Sequence, residues 1–132
     1  MRILLDSNVL ISSALFRGAA MDELIAVLKK HTIILTNIII DESIGVIKKK
    51  FPNKVGDFKR FISELTFDYT FVAEASGADY DIRDSDDSKI LYSAFASQAD
   101  ILITGDSDFF EKTYDGIQIL KPSEFVRKYS KK

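Results

Sequence analysis

Two acidic residues in this chain follow short apolar runs. Ile3-Leu4-Leu5 leads directly into Asp6, and Ile101-Leu102-Ile103 leads through Thr104-Gly105 into Asp106. Glu42 stands a few residues beyond the β-branched run Thr32–Thr36, and Asp87 follows the polar stretch 74–86. A carboxylate at the end of a buried strand can cap the next helix by accepting backbone N–H groups. It can also hold a hard cation through oxygen. Gathered in one place, such carboxylates repel one another and resist ionisation until a counter-charge arrives. The chain has no cysteine and a single histidine, His31. Oxygen is therefore the available donor, and the ion it suits is Mg²⁺ or Mn²⁺. An ion of that kind lowers the pKa of bound water and screens phosphate charge, which suits hydrolysis of a phosphodiester. Each acid also has a structural reading: Asp6 and Asp106 as turn residues, Asp87 as a first-turn acid of a helix, Glu42 as a solvent-facing side chain.

The elements decide whether these residues meet. Residues 2–5, 32–36, 69–73, 101–104 and 117–120 read as strands, short and rich in Ile, Leu, Val and aromatic residues. Between them, apolar residues recur at helical spacing. The helices begin near Ser7 or Asn8, either of which is a candidate cap, and cover 19–30, 38–50 with Asn37 as its candidate cap, 54–66, 87–98 and 107–112. The last opens at Pro122, where a first turn tolerates proline. Strand–helix alternation of this kind predicts an α/β fold, with a mostly parallel central sheet covered on both faces. Ligands bind such sheets beyond the carboxyl ends of the strands. Asp6 and Asp106 fall on that edge, and helix N-termini bring Glu42 and Asp87 towards it. Gly105 suits a tight turn before Asp106.

With 132 residues the chain fits one domain, 1–132, and its composition is 46% hydrophobic and 29% charged. No apolar run reaches the roughly 20 residues of a membrane span. The start MRILLDSNVL lacks a signal-peptide pattern. Together with the absence of cysteine, this points to the cytoplasm. The net charge of −2 argues against a protein that binds nucleic acid by overall charge alone. Basic residues do cluster, at Lys48-Lys49-Lys50 with Lys54, Lys59 and Arg60, and at Arg127, Lys128, Lys131 and Lys132.

The segments LLDSNVL, IIIDESIGVIKK, DDSKILYSA and ILITGDSDFF, in this order, resemble the PIN domain family. The segment RGAAMDEL resembles the subgroup related to VapC-type toxins. The resemblance spans nearly the whole chain. It implies a PIN-like three-layer α/β/α sandwich and a Mg²⁺- or Mn²⁺-dependent endoribonuclease, the toxin of a type II toxin–antitoxin pair. It maps the metal-binding and catalytic set onto Asp6, Glu42, Asp87 and Asp106, with Asp108 as an additional acid. Ser7, Asn8 and Thr104 are the supporting polar residues. Ser7 stands where the family often has threonine and keeps the hydroxyl. The loop RDSDDS also contains Asp84 and Asp86 near Asp87, and Asp84 is a further candidate for a helix cap or a metal contact.

The implied partners are an RNA substrate, a small antitoxin protein and a second copy of the chain. The apolar segment Val9–Phe16 and the helix at 19–28 carry more hydrophobic residues than one core-facing stripe needs, including Leu10, Ile11, Leu15 and Phe16. Two alternatives remain: an inactive PIN-like module that binds RNA or protein, and a related metal-dependent DNA nuclease. His31 follows Lys29-Lys30 at a helix end, and it is read as a structural or surface residue.

Overall fold

Strands covered on both faces need continuous apolar sequence. The three central strands have it: β1 (Arg2–Leu5), β2 (Thr32–Thr36) and, from the last quarter of the chain, Ile101–Ile103. Ile3, Leu4, Leu5, Ile33, Ile34, Leu35, Ile101, Leu102 and Ile103 are all buried and form the middle of the core. The computed structural model describes residues 1–73 and 85–130, without the side chains of residues 85–87.

In chain order the elements are β1, α1 (Ser7–Leu15), α2 (Ala19–Leu28), β2, α3 (Asn37–Lys50), α4 (Val55–Glu64) and β3 (Asp68–Thr70). They continue with α5 (Ser85–Ala96), β4 (Ile101–Ile103), β5 (Gln118–Leu120) and α6 (Pro122–Tyr129). Short 3-10 turns cover Pro52–Lys54 and Ser107–Phe110. The sheet runs β3-β2-β1-β4-β5, and every pairing is parallel. Ile3 stands opposite Ile33 on one side and Ile101 on the other. From β1 the chain builds outwards to β2 and β3, then returns to the other side of β1 as β4. The strand order therefore reverses between β1 and β4, and the crevice at their carboxyl ends is the expected ligand position. The fold is the three-layer α/β/α sandwich. α1 packs on α3 and α4, α5 on α3, and α2 on α6.

Two caps differ from the sequence expectation. Asp6, not Ser7 or Asn8, caps α1, and its side chain accepts Val9 N–H. Thr36, not Asn37, caps α3 by accepting Ile39 N–H. In both places the strand runs straight into the helix, so the residue at the junction is the one with extended backbone and cap geometry. Asn37 instead grips the chain after β3. Its amide donates to Val72 C=O (3.0 Å) and accepts Val72 N–H (2.7 Å). This side chain takes the place of further ladder bonds, and β3 ends at Thr70 rather than at residue 73.

α5 ends at Ala96, two residues before the expected end. Gln98 adopts a left-handed backbone with φ of 59°, and Ala99 N–H bonds back to Ala94 C=O. That is the geometry of a helix stop normally filled by glycine or asparagine. At the amino edge, Arg2 ties the ends together. Its guanidinium reaches Ser97 C=O and Asp68, and its backbone exchanges hydrogen bonds with Asp100.

The apolar surplus of the first two helices is largely used within the chain. Leu10, Ile11, Leu24, Ile25 and Leu28 are buried, and Leu15 is partly buried. Phe16 remains 49% exposed and packs edge-on against Phe51. Among the described residues, no helix is long and apolar enough to cross a membrane.

Candidate metal centre

Asp6 sits where β1 stops and α1 starts, with its backbone N–H bonded to Ile103 C=O of β4. The carboxylate is thereby fixed at the crevice between β1 and β4, and the residue is only 3% exposed. One oxygen, Oδ1, accepts Val9 N–H at 2.8 Å. The other, Oδ2, accepts the hydroxyl of Thr104. Burial pushes the Asp6 carboxyl above its ordinary range, and the negative charge of Asp106 pushes it the same way. The Thr104 hydroxyl and the N–H groups of Val9 and Asn8 act against that rise. The structure thus holds a carboxylate in a place that disfavours its charge, with a second carboxylate near enough to add to the strain.

Thr104 couples these two acids. It is fully buried, donates its hydroxyl proton to Asp6 and accepts Asp106 N–H at 3.1 Å. Asp106 then caps the following 3-10 turn, its Oδ1 accepting Asp108 N–H at 3.0 Å. Asp106 and Asp108 are both partly buried. Gly105 does not need its conformational freedom here: its φ is not positive, and a Cβ would meet nothing within 4 Å.

Glu42 arrives from α3. The buried Ser7 hydroxyl donates to Glu42 Oε1, which ties α3 to the β1–α1 junction beside Asp6. Because Asp6 takes the capping role, the Ser7 side chain is left available for this bond. Asn8 is exposed, and it is its backbone N–H that bears on Asp6. Asp87 lies in the first turn of α5. Its side chain and that of Asp86 lie outside the described residues, as does Asp84. α5 itself is held by a buried contact of 3.2 Å between the hydroxyls of Ser93 and Thr36, the residue that caps α3. Sequence reasoning passed over Thr36 and Ser93. A hydroxyl at the last position of an apolar strand was the available signal.

The structure therefore brings Asp6, Thr104 and Asp106 into one bonded cluster and ties Glu42 to its margin. Among the described residues, no three Asp, Glu, His or Cys side chains already stand together as a metal cage. The donor set still fits a hard divalent cation: carboxylate oxygens with no thiolate, one of them buried and charge-disfavoured. His31 is remote from it, packed against Phe125 and Tyr129 of α6.

A PIN domain family model matches residues 2–108. The chain belongs to the PIN domain family. Among solved structures it is similar to a chain of VapBC2 from Rickettsia felis, crystallised bound to a DNA fragment from their promoter. The TM-score is 0.69 at 17% identity, covering 90% of this chain and 97% of that one, a likeness of fold. No curated protein matches the sequence.

Proposed function

We propose that residues 1–132 form a single PIN domain acting as a Mg²⁺- or Mn²⁺-dependent endoribonuclease, the toxin half of a toxin–antitoxin pair. The observation that carries this reading is Asp6, a buried carboxylate at the strand-order reversal, raised by burial and by Asp106. A cation at that point offsets both effects. Membership of the PIN family supports nuclease chemistry. The likeness to a VapBC2 chain supports a small antitoxin as partner.

In this reading Asp6 and Asp106 hold the ion, with Glu42 and Asp87 completing the set. When bound, the ion supplies Lewis acidity and positive charge against the scissile phosphate. Thr104 fixes the orientation of the Asp6 carboxylate, and Ser7 holds Glu42 towards it. Groups of this kind set the aim of the ligands they touch. The ion's charge also allows a chain of net charge −2 to accept a polyanion at this one place.

The test is cleavage of single-stranded RNA and of sequence-matched DNA, each with Mg²⁺ and with Mn²⁺. RNA cleavage that disappears in a folded Asp6→Asn variant is expected, with DNA spared because it lacks the 2′-hydroxyl. Full RNA cleavage by that variant removes Asp6 from the site. Equal cleavage of DNA replaces the RNA assignment.

A further inference from the structure

A groove of about 610 Å³ runs between α2 and α6 and opens at Gly105, next to Asp106. Its α2 wall carries Met21, Leu24 and the acid Glu23, and its α6 wall carries Lys121 and Arg127. Both cations are exposed, and among the described residues neither makes a salt bridge. The described arginines elsewhere are paired: Arg2 with Asp68, Arg17 with Asp22, Arg60 with Asp57. Lys121 is also held in place. Its backbone N–H bonds Glu124 Oε1, and its ammonium stands 5.7 Å from the ring centre of Phe110. Phe110 is 37% exposed and follows Asp106 by one 3-10 turn.

We propose that this groove holds the single-stranded RNA flanking the scissile bond, with Lys121 and Arg127 pairing backbone phosphates and Phe110, outside the groove but beside the Lys121 ammonium, offering a ring for a base. The inference rests on the ribonuclease reading and names the track that feeds its site. Charge complementarity selects the occupant. The net charge of the chain is negative, yet two cations without a salt bridge among the described residues line one wall of a groove that reaches Gly105, next to Asp106. Glu23 on the facing wall confines the phosphates to the α6 side. Phosphate pairing and aromatic stacking are the two interactions by which proteins grip single strands without reading sequence. The apolar lining at Met21, Pro122 and Val126 suits the faces of bases.

Each cation that neutralises a phosphate of a single strand adds about 0.7 to the slope of log K against log salt concentration. Extrapolated to 0.1 M salt, that is about 5-fold in affinity per cation and about 25-fold for two. The experiment is fluorescence anisotropy with a labelled 15-nucleotide RNA in chelator, so that binding is read without cleavage. It compares wild type, Lys121→Ala/Arg127→Ala, Phe110→Ala and a control, Lys48→Ala/Lys49→Ala. The control changes charge equally, at the far end of α3.

The α6 variant is expected to weaken binding about 25-fold and lower the slope by about 1.4, with the control near wild type. Phe110→Ala is expected to weaken binding with the slope unchanged. Equal loss in both lysine-containing variants, or no loss in the α6 variant, overturns the groove assignment. Because no cleavage is needed, an inactive wild type that binds through Lys121 and Arg127 sinks the ribonuclease reading and leaves the groove standing. An active wild type indifferent to them does the reverse.

Discussion

Thr104→Val removes one oxygen at the centre of the cluster and keeps the branched shape of the side chain. The Asp6 carboxylate then loses its Oδ2 donor, and Asp106 N–H loses its acceptor. A hydrogen bond to a charged group contributes roughly 1.5–3 kcal/mol, and a stranded N–H costs about 1 kcal/mol more. The site is fully buried at Thr104 and nearly so at Asp6, so water does not replace the donor that Asp6 loses, while Asp106 N–H is only partly buried. The metal-free protein should lose about 3 kcal/mol at neutral pH, or about 10 °C in Tm for a domain of this size.

The effect should depend on pH in a defined direction. Burial holds the folded-state pKa of Asp6 above its ordinary carboxylate value, so its ionisation weakens the fold, and that penalty is present above the folded pKa. Stability from this group therefore rises as pH falls through the folded pKa, and the change is complete below the unfolded value. Thr104 opposes the rise in pKa, so the valine variant moves it further up. The gap between variant and wild type should thus be widest at neutral pH and narrow in acid, leaving the part due to Asp106 N–H. Urea unfolding at several pH values, in chelator, measures it. An unchanged midpoint at neutral pH, or a gap that does not narrow in acid, refutes the coupling of Thr104 to an ionised Asp6.

Ser7→Ala should cost about 1 kcal/mol of stability and lower metal affinity by about 10-fold or more, because Glu42 loses the hydroxyl that aims it; calorimetry of Mn²⁺ binding checks this. Gln98→Gly should stabilise the fold by roughly 0.5–1 kcal/mol in urea, since a left-handed backbone suits glycine. Leu102→Ala, in the fully buried middle strand of the β1–β4–β5 set, should cost about 2–5 kcal/mol, seen as a lower denaturant midpoint with an unchanged slope.

The parallel sheet was legible because its three central strands are nearly unbroken apolar runs. Residues 32–36 match their strand in full, and the strand at 101 differs by one residue. The stretch Ile38-Ile39-Ile40 reads equally as strand or helix. Helical spacing through Ser43, Ile44 and Ile47 decides it, and the structure agrees in placing these residues in α3. What failed was local. A cap is defined by backbone angles, and several adjacent residues at 6–8 and 36–37 have capping chemistry. Gln98 carries no mark of a left-handed conformation, so the end of α5 was misplaced.

At the site, the positions of Asp6 and Asp106 followed from strand ends. The bonds Thr104 and Ser7 make to Asp6 and Glu42 depend on rotamers that spacing does not encode. Gly105 was read as suiting a tight turn, and the backbone there is ordinary, with no positive φ and nothing within 4 Å of a Cβ.

The acidic cluster is expected to hold a divalent cation. Mn²⁺ titration by calorimetry of wild type and of Asp6→Asn/Asp106→Asn tests it most directly, with circular dichroism to establish that both are folded. The account predicts saturable heat in the wild type and none in the folded double variant. Equal heats in the two proteins, or none in the wild type even with RNA present, would contradict it.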